Sequence, residues 1–190
     1  METDTDAPQL VVISGGSSSG KTTLARALQE ELMPRPWLHF SIDAVLECLP
    51  KSVLDRANRY NDWSLIDSRA VTAAAFQCVR VLLERGHSVV FECVVASERA
   101  AGNLLRALGE FQPVMVGLRC SWEETERRTL SRGDRTLEEA EHGYWHASDA
   151  LVLDYEIDTS LRTPRDIARQ LAGSLRSGGH LAWRANVSRY

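Results

Sequence analysis

The sequence predicts a three-layer α/β/α fold in which a five-stranded parallel sheet is covered by helices on both faces. Short apolar runs alternate five times with longer amphipathic stretches along the chain. The runs are almost continuously apolar, which is typical of parallel strands buried on both faces. The chain has 190 residues, of which 44% are hydrophobic and 25% charged, and this suits one compact domain with a sizeable core.

The first half of the chain contains two strands and three helices. In order, they are strand Gln9–Ser14, helix Lys21–Leu32, strand Trp37–Ser41, a short helix ending near Leu49, and helix Asp67–Arg85. Leucines recur every four residues in the first helix, and the last helix places Val71, Ala75, Cys78 and Leu82 on one face. Gly86 is the kind of residue that ends such a helix. The polar segment Pro50–Ile66 fits neither pattern.

The second half predicts three more strands and four helices. In order, they are strand Ser88–Glu92, helix Ser97–Leu108, strand Val114–Leu118, helix Ser121–Arg132, helix Leu137–Ala147, strand Tyr155–Asp158 and helix Thr163–Leu175. A capping box at Ser121–Glu124 and the pair Thr163-Pro164 mark two of the helix starts. We therefore expect a single domain over residues 9–175, with a lid around residues 127–137 and a tail over residues 176–190.

Charge and cysteine content limit the function classes. The chain carries 22 basic and 26 acidic residues, a formal net charge of −4, which disfavours a general nucleic-acid binder. The acidic amino terminus is unlike a signal peptide, and the longest apolar runs are far too short for a membrane span. We expect a cytoplasmic protein with no membrane partner. The four cysteines, at positions 48, 78, 93 and 120, are widely spaced, which predicts buried reduced thiols.

A phosphate-binding loop lies between the first strand and the first helix. The segment GGSSSGKT matches the pattern G-x-x-x-x-G-K-[ST], in the strand–loop–helix context that its mechanism requires. Its amide groups and the positive end of the following helix would hold phosphate oxygens. We expect Lys21 to reach the β- and γ-phosphates and Thr22 to ligate Mg²⁺. The predicted nucleotide-binding residues are Gly15, Gly16, Ser17, Ser18, Ser19, Gly20, Lys21 and Thr22.

Two carboxylates follow predicted strands at the edge of the sheet where ligands bind in α/β proteins. Asp43 stands just past the second strand, where it would take the proton from an acceptor hydroxyl or orient it for attack. The alternative is that Asp43 caps the helix that follows. Glu92 ends the third strand, which predicts a role near Mg²⁺. The competing interpretation of Glu92 is a capping or surface carboxylate.

Arginines near the end of the helix begun by Ser121 predict a lid. Arg132 and Arg135 flank a Gly-Asp pair, and small P-loop kinases carry arginines on a mobile segment that closes over the phosphates. A purely structural role for the two is the alternative. Arg127 and Arg128 follow Glu123 and Glu124 by four residues, which indicates surface ion pairs.

The sequence resembles the chloramphenicol phosphotransferase-like family from about Leu10 to about Leu175. The resemblance is carried by the blocks GGSSSGKT, PWLHFSIDAVLECLP, VGLRCSWEETERRTLSRGDR and DYEIDTS. It implies a P-loop kinase of the nucleoside-monophosphate-kinase-like type, using ATP and Mg²⁺ to phosphorylate a small-molecule hydroxyl and so inactivate an antibiotic. Carried over by residue, the resemblance implies that Asp43 is the catalytic base and that Arg132 and Arg135 are the lid arginines. It also implies phosphate contacts from Gly15–Thr22.

The sequence departs from this resemblance in two places, at the end of the third strand and in the segment expected to contact the acceptor. Glu92-Cys93 stands where a well-known member of that family has two aspartates. The segment Pro50–Ser68, which should help form the acceptor pocket, is shorter than in that member and different in composition. We expect the acceptor to be an antibiotic such as chloramphenicol, phosphorylated on its 3-hydroxyl. Two alternatives stay open: a metabolic kinase for a sugar, nucleoside or cofactor precursor, and a nucleotide-binding regulatory module without transfer activity.

Overall fold

Five parallel strands form one sheet in the order β2-β3-β1-β4-β5. The computed structural model describes residues 8–132, 137–144 and 150–178. The strands are β1 (Leu10–Gly15), β2 (Trp37–Ser41), β3 (Ser88–Cys93), β4 (Val114–Arg119) and β5 (Tyr155–Asp158). The predicted α/β fold with a five-stranded parallel sheet is confirmed.

The described residues also form eight α-helices. They are α1 (Lys21–Glu31), α2 (Ile42–Leu46), α3 (Lys51–Tyr60), α4 (Ser68–Glu84), α5 (Glu98–Leu108), α6 (Trp122–Arg132), α7 (Leu137–Tyr144) and α8 (Pro164–Ser177). Short polar side chains fix several starts: the oxygens of Ser41, Asp67, Ser97 and Thr163 accept backbone N–H groups of the first turns of α2, α4, α5 and α8. Within the part of the chain that is described, the helices lack the length and apolar composition needed to cross a bilayer.

Alternate residues of the buried strands face two separate cores. On β1, Val11 and Ile13 pack with α1 and α8, whereas Leu10 and Val12 pack with α4 and α5. Every residue of β1 is buried, because its neighbours are strands on both edges and helices on both faces. The central strand therefore holds the loop that follows it on a rigid support.

The strand order places a crevice between β1 and β3. The chain leaves β1 through α1 toward β2, but leaves β3 through α5 toward β4 on the opposite face. Ligands of open α/β sheets bind where the connections diverge in this way. The register sets Ser14 beside Cys93 and Ser41 beside Glu92, so residues at these strand ends share one edge.

The structure corrects three expectations. Residues of Pro50–Ile66 form helix α3, whose few apolar residues, Val53, Leu54 and Ala57, lie on one side in an otherwise polar segment. The buried side of α4 is rotated by about one residue from the predicted face and consists of Ala75, Phe76, Val79 and Leu83. Cys78 therefore points to solvent, and Cys48 is also exposed, while Cys93 and Cys120 are buried free thiols as expected.

Candidate functional site

The phosphate-binding loop joins the buried end of β1 to the start of α1. Gly20 enters the helix with a φ of 92°, which favours glycine, and Ser18 has a φ of 58°. A Cβ added to Gly15 would lie 2.7 Å from Ser19 Oγ and 2.9 Å from the carbonyl oxygen of Leu118. The loop therefore needs glycine at both ends, for conformation at Gly20 and for space at Gly15.

The amino end of α1 differs from those of α2, α4, α5 and α8. No side chain among the described residues caps its first turn, and its first turn contains no acidic residue. The N–H groups of a helix start lack partners within the helix, and the helix dipole adds positive potential there. This end of α1 is therefore suited to a bound anion.

Lys21 lies at the start of α1 and folds back onto the loop. Its ammonium nitrogen donates to the carbonyl oxygens of Gly15 at 2.9 Å and Gly16 at 2.8 Å. A positive charge is thus held beside the loop, next to the uncapped helix start. The Lys21 ammonium therefore lies where it would contact a phosphate group bound by the loop, as predicted from the sequence.

Thr22 and Glu92 meet across the crevice between β1 and β3. The Thr22 hydroxyl lies 3.0 Å from each carboxylate oxygen of Glu92, to which it donates. His39 Nε2 lies 3.2 Å from Glu92 Oε1. Burial by itself raises the pKa of Glu92, but contacts with His39, Thr22 and Lys21 outweigh burial, so the pKa is lowered and the group is a carboxylate at neutral pH. Glu92 is thus neither a cap nor a surface residue.

Cys93 is the next and last residue of β3 and is buried. Burial raises the pKa of this thiol to about 12, with Lys21 lowering it and Glu92 raising it further. The thiol therefore stays protonated at neutral pH, and it is neither a nucleophile nor a ready metal ligand. Glu92 supplies the negative charge at the end of β3.

Arg128 is a site residue that the sequence interpretation missed. Its guanidinium donates to the carbonyl oxygen of Ser18 at 3.3 Å, to the Thr159 carbonyl oxygen at 2.9 Å and to Thr159 Oγ1 at 3.2 Å. It also bonds Glu124 Oε1 at 2.8 Å. Arg128 therefore ties α6 to the phosphate-binding loop and to the segment after β5, well beyond a surface ion pair.

Arg127 forms a surface ion pair, as predicted, but with a different partner from the one expected. Both Arg127 and Arg128 bond Glu124, at separations of three and four residues, so Arg127 does not use Glu123 as predicted. First Arg127 and then Arg128 hold the pKa of Glu124 down at about 2, against the effect of desolvation. No sequence signal distinguishes the two arginines, because Thr159 and Ser18 are distant along the chain.

A cavity of about 380 Å³ opens on the Arg128 side of the loop. Its walls come from the loop and α1, from α6, and from the segment joining β5 to α8, with Gly20, Thr23, Arg128, Thr159, Arg162 and Ile167 among the lining residues. The cavity adjoins the uncapped start of α1. A flat group attached to a phosphate on the loop would extend into this space.

Asp43 lies in the first turn of α2, directly after β2, and is exposed. The alternative that Asp43 caps this helix is wrong, because the cap is Ser41, whose hydroxyl accepts from the Ala44 N–H at 3.1 Å. The contacts of the predicted lid arginines lie outside what the structure describes. Arg135 falls within residues 133–136, and Arg132 is described only as the last residue of α6.

The fold and the loop define a P-loop nucleotide-binding protein with the architecture of small kinases. A family model with the description "Chloramphenicol phosphotransferase-like protein" matches residues 8–176. The chain therefore belongs to the chloramphenicol phosphotransferase-like family, as the sequence blocks predicted.

Individual relatives agree with this assignment. A protein named "Putative O-phosphotransferase" from Mycobacterium tuberculosis is 30% identical over 188 residues, which is 86% of this chain and 80% of the relative. A solved structure described as a "putative kinase" from Chloroflexus aurantiacus has a TM-score of 0.65 at 20% identity, covering 92% of this chain and all of that one. The APS kinase of Mycobacterium tuberculosis, solved with AMPPNP and APS, has a TM-score of 0.64 at 15% identity, covering 90% and 99%. The two solved structures share the fold with this chain, and family and fold together support a small-molecule kinase or O-phosphotransferase.

Proposed function

We propose that the protein transfers the γ-phosphoryl group of ATP to a hydroxyl of a small molecule. The observation that carries the proposal is the uncapped start of α1, with Lys21 and the Thr22–Glu92 pair beside it. The loop amides and Lys21 hold the β- and γ-phosphates, and the cavity beside Arg128 takes the nucleoside. Catalysis then depends on positioning and on stabilising the charge of the transferring group.

The residues around Thr22 fit Mg²⁺. This ion prefers hard oxygen ligands, and a hydroxyl and a carboxylate lie together at the loop. Because the Thr22 O–H donates its hydrogen to Glu92, the lone pairs of the hydroxyl oxygen stay available to a cation. In this proposal Thr22 ligates Mg²⁺ and Glu92 holds it directly or through water. The ion supplies neutralisation of phosphate charge when it is bound.

Asp43 is the proposed catalytic base, and Arg132 and Arg135 are the proposed lid arginines. Asp43 follows β2 at the carboxyl edge of the sheet and is exposed, so an acceptor hydroxyl has access to its carboxylate. As the hydroxyl oxygen attacks phosphorus and the bond to the β-phosphate oxygen breaks, Asp43 takes the hydroxyl proton. The two arginines would neutralise the equatorial oxygens of the transferring group.

The segment over residues 42–67, which contains Asp43, favours an uncharged acceptor, in keeping with chloramphenicol as the model compound. Residues 42–67 contain five acidic and three basic side chains. Two of the basic ones are paired inside the segment, Lys51 with Asp55 at 2.7 Å and Arg56 with Asp62 at 2.6 Å. An acceptor with a phosphate or carboxylate group would meet net negative charge here. Trp63, 38% exposed, offers an aromatic surface.

The test compares Asp43→Asn with Glu47→Gln, which removes a second exposed carboxylate just after the same short helix. Loss of general-base catalysis lowers the rate of phosphoryl transfer by about 10²–10⁴-fold. We expect this for Asp43→Asn with ATP affinity unchanged within a few-fold, and a nearly wild-type rate for Glu47→Gln. Transfer by Asp43→Asn at the wild-type rate would refute the assignment of the base.

A further inference from the structure

His39 faces the same side of the sheet as Glu92. Trp37 of β2 belongs to the core formed with α1 and α8, so His39, two residues later on the same strand, projects to that face. The His39 side chain is 18% exposed and that of Glu92 7% exposed. Placing an imidazole here costs free energy unless its nitrogen finds a polar partner.

The contact of His39 Nε2 is with Glu92 Oε1, at 3.2 Å. The two atoms are close enough for a hydrogen bond, but their relative orientation does not form one. No other described residue provides a hydrogen-bond partner for His39 Nε2. The distance nevertheless places the two groups in electrostatic contact. Glu92 Oε1 is thus the charged atom that lies in contact with this buried nitrogen.

Thr22 and His39 contact the Glu92 carboxylate in different ways. Thr22 Oγ1 is equally distant from both carboxylate oxygens, 3.0 Å in each case, so this contact does not favour either oxygen. His39 approaches Oε1 alone. The imidazole therefore adds a second, one-sided contact, and the two contacts together restrain the rotation of the carboxylate.

We propose that His39 is a positioning residue that holds the Glu92 carboxylate in the orientation in which Glu92 and Thr22 receive Mg²⁺ with a nucleotide. This inference rests on the proposed function, since it deepens the role of the same site. Partners that orient a metal ligand are commonly worth 10- to 100-fold in metal affinity. His39 acts through Glu92 and does not touch the nucleotide.

The experiment measures the dissociation constant of ADP by calorimetry at one pH, once with Mg²⁺ and once with a chelator. The variants are His39→Phe, which keeps a planar ring without nitrogen, and His39→Gln, which restores an N–H donor. The matched control is His87→Phe, the same substitution at an exposed histidine just before β3.

We expect the gain in ADP affinity on adding Mg²⁺ to fall about tenfold in His39→Phe. Affinity in chelator should stay unchanged within about twofold, because the loop amides and Lys21 are untouched. His39→Gln should recover most of the gain, and His87→Phe should match the wild type. Should His39→Phe not fold, His39→Asn, whose amide is too short to keep the contact, replaces it with the same expectation.

A wild-type gain in His39→Phe, an equal loss with Mg²⁺ and with chelator, or no recovery in His39→Gln would each overturn the inference. These outcomes differ from a failure of the proposed function, in which the wild-type protein itself would bind ADP equally with and without Mg²⁺ or would not bind it.

Discussion

Replacing Gly15 by alanine tests how tightly the phosphate-binding loop is built. The added Cβ would meet the Leu118 carbonyl oxygen at 2.9 Å, Leu118 Cβ at 3.1 Å and Ser19 Oγ at 2.7 Å. The Ser19 hydroxyl can rotate away, but Leu118 belongs to β4, which pairs directly with β1. The strand cannot yield without disturbing the centre of the sheet.

The expected cost follows from this crowding. Overpacking of a buried site lowers the free energy of unfolding by about 1–3 kcal/mol. In a chain of this length each kcal/mol shifts the melting temperature by roughly 2–4 °C. We therefore expect Gly15→Ala to melt about 2–12 °C below the wild type. ADP affinity should fall as well, because the first residue of the loop has moved.

Gly173→Ala is the matched control for this substitution. Gly173 lies inside α8, is exposed, and a Cβ there would meet nothing within 4 Å. Alanine is favoured over glycine in a helix by about 0.5–1 kcal/mol, so this variant should melt slightly above the wild type. Circular dichroism during heating and urea titration measure both variants. Equal melting temperatures for Gly15→Ala and wild type would refute the account of the loop.

Two further predictions concern the arginines of α6. Arg128→Met should lower the free energy of unfolding by about 2 kcal/mol because acceptors on Ser18 and Thr159 lose their donor. Arg127→Met, at a position 67% exposed, should have a much smaller effect, since solvent screens its ion pair. Equal losses in urea titrations would contradict the role given to Arg128. The folded-state pKa of Glu124 is about 2, below its ordinary value of 4.5. Its ion pairs therefore stabilise the protein fully above pH 4.5, and this stabilisation is lost as the pH falls toward 2. NMR titration of this carboxyl carbon should give a midpoint near 2 that rises in Arg127→Gln, and a wild-type midpoint near 4.5 would show that the pairs do not form in solution.

Features encoded by neighbouring residues could be predicted from the sequence. The phosphate-binding loop is specified by eight consecutive residues, GGSSSGKT, between an apolar run and an amphipathic one. Helix α4 begins and ends where its local signals predict, with Asp67 as the cap and Gly86 following at a φ of 82°. Both features can be recognised from residues that are consecutive in the chain.

Features created by the order of the strands could not be predicted. His39 meets Glu92 because β2 pairs with β3, and the sequence alone does not show which strands are neighbours. Arg128 matches a local pattern with Glu124, which hides its contacts with Ser18 and Thr159, 110 and 31 residues away. A local pattern accounts for one partner of a side chain and says nothing about the others.

Helix α3 shows a different limit of sequence interpretation. It buries little apolar surface, and the ion pair between Lys51 and Asp55 at 2.7 Å lies on its exposed side. A left-handed Asn61, with a φ of 49°, ends it. The apolar side of α3 consists of Val53, Leu54 and Ala57 only, and so short a hydrophobic period within a mostly polar segment is easily overlooked.

Phosphoryl transfer itself is the most direct test of the proposed activity. Purified protein with Mg²⁺ and ATP would be offered chloramphenicol, related amino-diols, aminoglycosides, macrolides, sugars, nucleosides and guanylate. ADP release would be followed, and each acceptor examined by mass spectrometry. The account predicts ADP release stimulated by an uncharged hydroxyl compound, with the mass of one added phosphate on chloramphenicol or a related compound. Transfer to guanylate with none to uncharged acceptors, or bound ATP without a phosphorylated product from any compound, would contradict it.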